Sequence, residues 1–99
     1  MIVEIADFRV KPDDVAAFGE AIQRAAQLTL SKAEGYLGHT IVRSQETVGR
    51  FVLTVHWTHL EAHTVGFRGS SAFAEWRAII GPFFLQPPHV EHFDVLTEK

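Results

Sequence analysis

The chain has 99 residues, 46% of them apolar and 21% charged, with a formal net charge of −3, and a chain of this size is one domain (1–99) that buries only about two-thirds of the surface its unfolded form exposes, so a partner surface is expected. Acidic and basic residues are interspersed with no basic stripe to follow a phosphate backbone, and no apolar run approaches the ~18 residues of a membrane span, so neither nucleic acid nor a membrane is an expected partner. The absence of cysteine excludes disulfides, iron–sulfur clusters, thiolate nucleophiles and cysteine-ligated zinc, and the start Met1-Ile2-Val3-Glu4 lacks the basic stretch of a secretion signal, so the chain reads as cytoplasmic.

Ile2 to Val10 is rich in β-branched and apolar residues without a helical period, which predicts a strand. Lys11-Pro12-Asp13-Asp14 then starts a helix, since proline suits the first turn and aspartates complement the positive helix end. Val15, Phe18, Ile22, Ala25 and Leu28 fall on one face of it at helical spacing. Glu34-Gly35 ends this region, glycine tolerating the left-handed turn. Tyr36 to Arg43 and Arg50 to Trp57 read as two further strands of an antiparallel hairpin, joined by a polar connection that contains Gly49. In the second of them Phe51, Leu53, Val55 and Trp57 share one face, and Val52, Thr54 and His56 the other. Both faces are largely apolar. The chain's own helices can cover one, so the other is expected to meet a second subunit.

Thr58 and Glu61 have the T-x-x-E spacing of a capping box, which predicts a short helix from His59 to about Val65. Gly66 and Gly69 break it, and Ser70 or Ser71 caps a further helix with Phe73, Trp76, Arg77 and Ile80 on one side. Gly81-Pro82 stops that helix, and after Pro87-Pro88 the run His89 to Leu96 is the last strand. The order β-α-β-β-α-β, with its second helical region split, predicts an α+β ferredoxin-like plait: a four-stranded antiparallel sheet with helices on one face.

Three of the six histidines cluster at His56, His59 and His63, but the H-x-E-x-H spacing differs from that of zinc proteases, and strand alternation turns His56 away from Trp57. No metal site is expected. His63 is the histidine of interest: on a helix starting near Thr58 it leans over the end of the third strand into the space between helices and sheet, where an imidazole can take or give a proton near neutral pH. The plain alternative is a half-buried histidine bonded to backbone. Arg77, at helical spacing from Phe73 and Ile80, is expected to turn inward, and a buried guanidinium needs an anion. That anion is either a carboxylate of the protein, such as Asp7, Glu75 or Glu91, or a phenolate, enolate or carboxylate of a substrate. Trp57 and Trp76, with Phe51, Phe67, Phe73, Phe83 and Phe84, supply aromatic area for a core, for a flat-ligand pocket or for a subunit interface. Trp57, at the strand end beside the helix, is expected to wall the pocket.

From the opening strand and Lys-Pro helix start, through Glu34-Gly35-Tyr36-Leu37, Trp57, Glu61-Ala62-His63 and Ser70-Ser71-Ala72-Phe73, to Pro87-Pro88-His89-Val90-Glu91, the chain resembles the antibiotic biosynthesis monooxygenase family. The resemblance implies a dimeric α+β barrel, a homodimer whose sheets pack face to face with one pocket per subunit. It further implies oxidation of a phenolic, quinol or polycyclic small-molecule substrate by O2 with no metal or flavin cofactor. A tryptophan and an arginine line the pocket of anthrone-oxidising members, and Trp57 and Arg77 stand at those places. His63 stands where those enzymes have a tyrosine and Leu53 where they have an asparagine. Haem-degrading relatives use an asparagine, a tryptophan and a ligating histidine, and those places here hold Asp7, Gly66 or Phe67, and Trp76 or Arg77. The expected site is thus His63 and Arg77 for the chemistry, with Trp57, Leu53, Phe67, Phe73 and Trp76 against the substrate. The competing readings are a non-catalytic ligand-binding or assembly dimer and an isomerase of a small carbonyl compound on the same scaffold.

Overall fold

In the computed structural model, which describes residues 1–99, the elements run β1 (Ile2–Arg9), a 3₁₀ turn (Pro12–Asp14), α1 (Val15–Leu28), a second 3₁₀ turn (Leu30–Lys32), β2 (Tyr36–Arg43), β3 (Arg50–Trp57), a π-helical segment (Ala62–Phe67), α2 (Ser71–Ile80), a third 3₁₀ turn (Gly81–Phe83) and β4 (His89–Asp94). The strands form one antiparallel sheet in the order β2-β3-β1-β4, the α+β ferredoxin-like arrangement expected from the element order.

Side-chain alternation in the two central strands decides which face the helices cover. In β3 Phe51, Leu53, Val55 and Trp57 are buried, and in β1 Glu4, Ala6 and Phe8 are. Their register sets Phe8 opposite Phe51 and Ala6 opposite Leu53, so the inward residues of both strands make one continuous floor. α1 lies on that floor through Phe18, Ala21, Ile22, Ala25 and Ala26. The Phe18 ring sits 4.9 Å from that of Phe51, 5.9 Å from Phe8 and 5.6 Å from Phe83. Such a fully enclosed ring contributes about 3–5 kcal/mol against truncation to alanine. α2 closes the same core with Trp76 and Ile80.

Several boundaries differ from those the sequence predicts, each for a local reason. The Lys-Pro start makes a 3₁₀ turn, and the α-helix proper begins at Val15. Leu28 is 44% exposed because the helix ends there: the Thr29 hydroxyl donates to the Ala25 carbonyl at 2.7 Å, and the next turn inserts Leu30 in its place. β4 stops at Asp94, two residues before Leu96, because Asp94 already faces Ile2, the first residue of β1, and the ladder has no partner beyond it.

The largest departure is between β3 and α2. Thr58 and Glu61 form no capping box: the Thr58 N–H donates to the Gly35 carbonyl at 2.8 Å, its hydroxyl lies 2.9 Å from His59 Nδ1, and Glu61 makes no cap bond. Helical residues begin only at Leu60, so Thr58 sits too early to cap them. The turn that follows is π-wound, with the Arg68 N–H bonded to the His63 carbonyl at 3.1 Å, five residues back. Gly66 lies inside this turn and does not end it. The wide turn places Ala62, His63 and Phe67 together on the buried side. Ser70 caps α2 as the spacing predicts, its hydroxyl accepting from the Phe73 N–H at 3.3 Å.

Two glycines fix how these pieces meet. Gly49 (φ +87°) closes the β2–β3 hairpin against the Val10 backbone. Gly35 (φ +86°) lets the chain pass under the π segment, where an added Cβ would lie 2.6 Å from that of Ala62. Gly35→Ala is therefore expected to lose about 1–3 kcal/mol of stability from backbone strain, more if Ala62 cannot yield. Urea denaturation measures it, and a loss well under 1 kcal/mol would show that the π segment is not pinned by this glycine.

Candidate active site

The inner face of the sheet and the π segment and α2 above it leave a cavity of about 270 Å³, near the lower end of the ~300–1,000 Å³ usual for small-molecule sites. Leu53, Phe67, Phe73, Trp76, Phe84 and Val90 make most of its wall apolar. Four ionisable side chains open onto it: Glu4 and His63 at its buried end, and Arg68 and Arg77, which are themselves solvent-exposed.

Each is placed by its element. Glu4 has the inward parity of β1, shared with Ala6 and Phe8, and is only 6% exposed. The indole N–H of Trp57, at the inward end of β3, donates to Glu4 Oε1 at 3.0 Å. His63, 3% exposed on the π segment, stacks on the Trp57 ring at 5.3 Å and brings Nε2 to 3.4 Å from the same Oε1, close for charges but long for a hydrogen bond. Its other nitrogen, Nδ1, lies 2.7 Å from Nε2 of His92, which β4 sets directly opposite Glu4 in the sheet. Carboxyl and two imidazoles thus form one line from the cavity to the half-buried edge strand.

Burial controls their charge. The His63 imidazole is pushed down to about 4, first by burial, then by the positive charge of Arg68 and by His92. His92 moves down too, through burial and then Arg68. Glu4 is raised by burial, with the Trp57 N–H and the Arg68 charge pulling it back. An ion pair between His63 and Glu4 would need both groups charged in a place that penalises each, so His63 stands as a neutral imidazole beside a carboxyl group of raised pKa.

The sequence-predicted residues separate into those that meet at the cavity and those that do not. Leu53, His63, Phe67, Phe73, Trp76 and Arg77 line it together. Trp57 is fully buried one layer behind the wall, touching Glu4 and His63 without facing the cavity itself. Arg77 does not turn into the core: it is exposed at the rim and pairs with no carboxylate. Asp7 is held by Arg50 at 2.7 Å and Glu91 by His89 at 2.7 Å, so neither is its partner. The histidine cluster does not exist in space. His56 faces outward, 3.4 Å from Glu98, His59 is at the surface beside Thr58, and only His63 is inside. No group of three His, Cys, Asp or Glu side chains is gathered to hold a metal.

Glu4, Arg68 and His92 are the residues that sequence reading passed over. Strand parity held the signal for Glu4, a carboxylate in register with the inward Ala6 and Phe8. His92 is reached only through the pairing of the first strand with the last, and Arg68 only through the π turn.

The lowered His63 pKa has a measurable consequence. Between pH 6.5 and 4 the unfolded chain binds a proton at His63 that the folded chain does not, so stability from this group is full above pH 6.5 and falls with pH until about pH 4. From pH 7 to pH 5 the loss is about 2 kcal/mol. Glu4, with its pKa raised, acts in the opposite sense, so the comparison is made within a pair: the stability of His63→Gln should fall by about 2 kcal/mol less over this interval than that of the unchanged protein. Equal acid sensitivity in denaturant titrations of the two would show that His63 titrates as in the unfolded chain.

The chain is 38% identical over 93 residues to the Bacillus subtilis (strain 168) uncharacterized protein YczJ, a match covering 94% of this chain and 97% of that one. A Bordetella bronchiseptica protein whose crystal structure bears the antibiotic biosynthesis monooxygenase name superposes with a TM-score of 0.90 at 36% identity over 97% of both chains. SnoaB of Streptomyces nogalater, a cofactor-independent oxygenase, shares the fold with a TM-score of 0.79 at 17% identity, covering 98% of this chain and 94% of that one. Residues 1–79 match the family model for antibiotic biosynthesis monooxygenases, and the chain belongs to that family.

Proposed function

We propose that this chain is a cofactor-independent monooxygenase that oxidises a phenolic, quinol or related polycyclic substrate with O2, and that it works as a homodimer. The observation that carries the reading is the polarity of the cavity: an apolar slot with a carboxyl–imidazole pair at its buried end and two guanidinium groups, free of protein carboxylates, at its rim. A flat electron-rich ring system fits the slot. The buried pair of Glu4 and His63 removes its proton, and Arg77 with Arg68 stabilises the resulting anion. That anion supplies the electrons for oxygen. For a methylene substrate the carbanion transfers an electron to O2, the two radicals join as a peroxide, and return of the proton with loss of water leaves a carbonyl. In balance, the methylene and one molecule of O2 become a ketone and one molecule of water: one oxygen atom stays on the carbon, and the other leaves with the two methylene hydrogens. The apolar wall keeps bulk water from the anion until oxygen arrives. Membership of the family and the fold shared with SnoaB support the assignment.

The homodimer is supported by the outer face of the sheet, where Val3, Ile5, Val42, Val52 and Phe93 form an apolar strip that no helix covers. Two copies of the same strip complement each other across a two-fold axis. Light scattering is expected to give twice the mass of the chain, and Val52→Glu on that face to give a single chain. A monomeric unchanged protein would remove the dimer from the proposal without touching the site.

The reaction is tested by O2 uptake with anthrones and hydroquinones. Uptake by the unchanged protein should fall about 10²-fold in Arg77→Gln and about 10²-fold or more in His63→Gln. Full activity in both variants would move the chemistry elsewhere. Turnover of a carbonyl compound without oxygen consumption would favour the isomerase, and no turnover with tight ligand binding would favour a binding protein.

A further inference from the structure

Within that reaction, on whose reading this inference rests, the structure points to Glu4 as the group that takes the substrate's proton, with Trp57 holding its carboxyl group and His63 and His92 as positioning residues beside it. A buried acid needs a reason to exist, and the other inward residues of the two central strands, β1 and β3, are apolar. The Trp57 indole alone does not supply one, since an amide oxygen would accept the same N–H. The donors instead converge on one side of the carboxyl group. Trp57 Nε1 reaches Oε1 at 3.0 Å and His63 Nε2 approaches it at 3.4 Å, whereas Oε2 has no protein partner. No fully buried side-chain oxygen is left unpaired in the molecule, so Oε2 opens onto the cavity that Glu4 lines. One oxygen is held and the other is presented.

The histidines set its surroundings. With its proton on Nε2, His63 places an imidazole 3.4 Å from Glu4, too far for a hydrogen bond, and leaves Nδ1 to accept the N–H of His92 Nε2 across 2.7 Å. Neither imidazole then carries a charge. Burial makes His63 a poor base, since its protonated form is disfavoured down to about pH 4, while the same burial makes the Glu4 carboxylate more basic than an ordinary one. The groups that face Glu4 are Trp57 from β3, His63 and Arg68 from the π turn, His92 from β4 and Arg77 from α2 across the cavity. In the proton step the substrate C–H or O–H bond breaks and an O–H bond forms on Glu4 Oε2. The electron pair stays on the substrate and is the one later given to O2, and the same proton returns from Glu4 to the peroxide before water leaves.

The experiment uses anthrone as the probe and has three readings. Under nitrogen in D2O, the unchanged protein is expected to accelerate hydrogen exchange at the anthrone methylene, and Glu4→Gln, which keeps the Trp57 acceptor and the side-chain shape, to lose 10²–10⁴-fold of that rate with little change in KM. This arm needs no oxygen, so exchange without O2 uptake would sink the monooxygenase reading and leave the Glu4 assignment standing. In pH profiles of the exchange, the acid limb should survive in His63→Gln and His92→Gln, at a lowered rate, because it belongs to the Glu4 carboxyl group. An acid limb that vanishes in His63→Gln and persists in Glu4→Gln would make His63 the base and overturn the assignment. Nitrogen-15 NMR of the histidines at pH 7 is expected to show the His63 proton on Nε2. A proton on Nδ1 would overturn the positioning role of His63 whether or not anthrone reacts.

Discussion

The bond from the Trp57 indole to the Glu4 carboxyl is the constraint on which the rest of the site depends. It joins the last inward residue of β3 to the one polar inward residue of β1, set between Ile2 and Ala6. An unpaired buried carboxyl would cost several kcal/mol, enough to remove much of the stability of a domain this small. Paired, it costs far less and leaves a fixed polar point inside an apolar slot. The His63 ring lies on the outer face of the same indole, 22° from parallel, so one tryptophan orients both groups of the pair. Its place behind the wall makes Trp57 a determinant of the cavity's chemistry without being part of its surface.

The winding of the chain after β3 follows from the same requirement. A regular α-turn from a Thr58 cap would begin earlier than the turn seen, and the Thr58 N–H is already committed to Gly35. The chain therefore crosses over Gly35 before it coils. The π turn then takes up the extra residue, so that Ala62 rests on Gly35 while His63 and Phe67 still point into the core. π turns are costly relative to α-turns and occur where a side chain must be aimed, which is the situation of His63.

Much of the fold was legible because its signals are local. Period-two alternation in β3 sorted Phe51, Leu53, Val55 and Trp57 inward, the glycines marked the hairpin and the crossing, and Ser70 marked the start of α2, all interactions within a few residues. The site was legible only in part, because what defines it is long-range. The T-x-x-E spacing suggested a cap that tertiary hydrogen bonding took away. Arg77 sits at the border of the buried face of α2, and a long cationic side chain there reaches to water. Spacing alone could not distinguish that from an inward turn. Glu4 and His92 stand near opposite ends of the sequence and are adjacent only because β1 pairs with β4. A histidine next to a carboxylate across a sheet leaves no mark in the spacing of either segment.

The arrangement of charge along the cavity also explains why its deep end can be polar without an ion pair. Arg68 lies at the rim, yet its field reaches Glu4, His63 and His92, opposing protonation of both imidazoles and favouring the carboxylate. One exposed cation thus biases all three groups toward the state in which the carboxylate is the sole charge among them. The same cation faces any anion that forms in the slot, so deprotonating a bound ring moves negative charge from the buried end toward the two guanidinium groups. Coulombic attraction beside an apolar wall is stronger than in bulk water, reduced here by the solvent that reaches both guanidinium groups. A neutral molecule entering the cavity leaves this field unanswered, whereas one that ionises there is stabilised by it. In the proposed reaction this asymmetry favours a ligand that ionises in the slot over one that stays neutral.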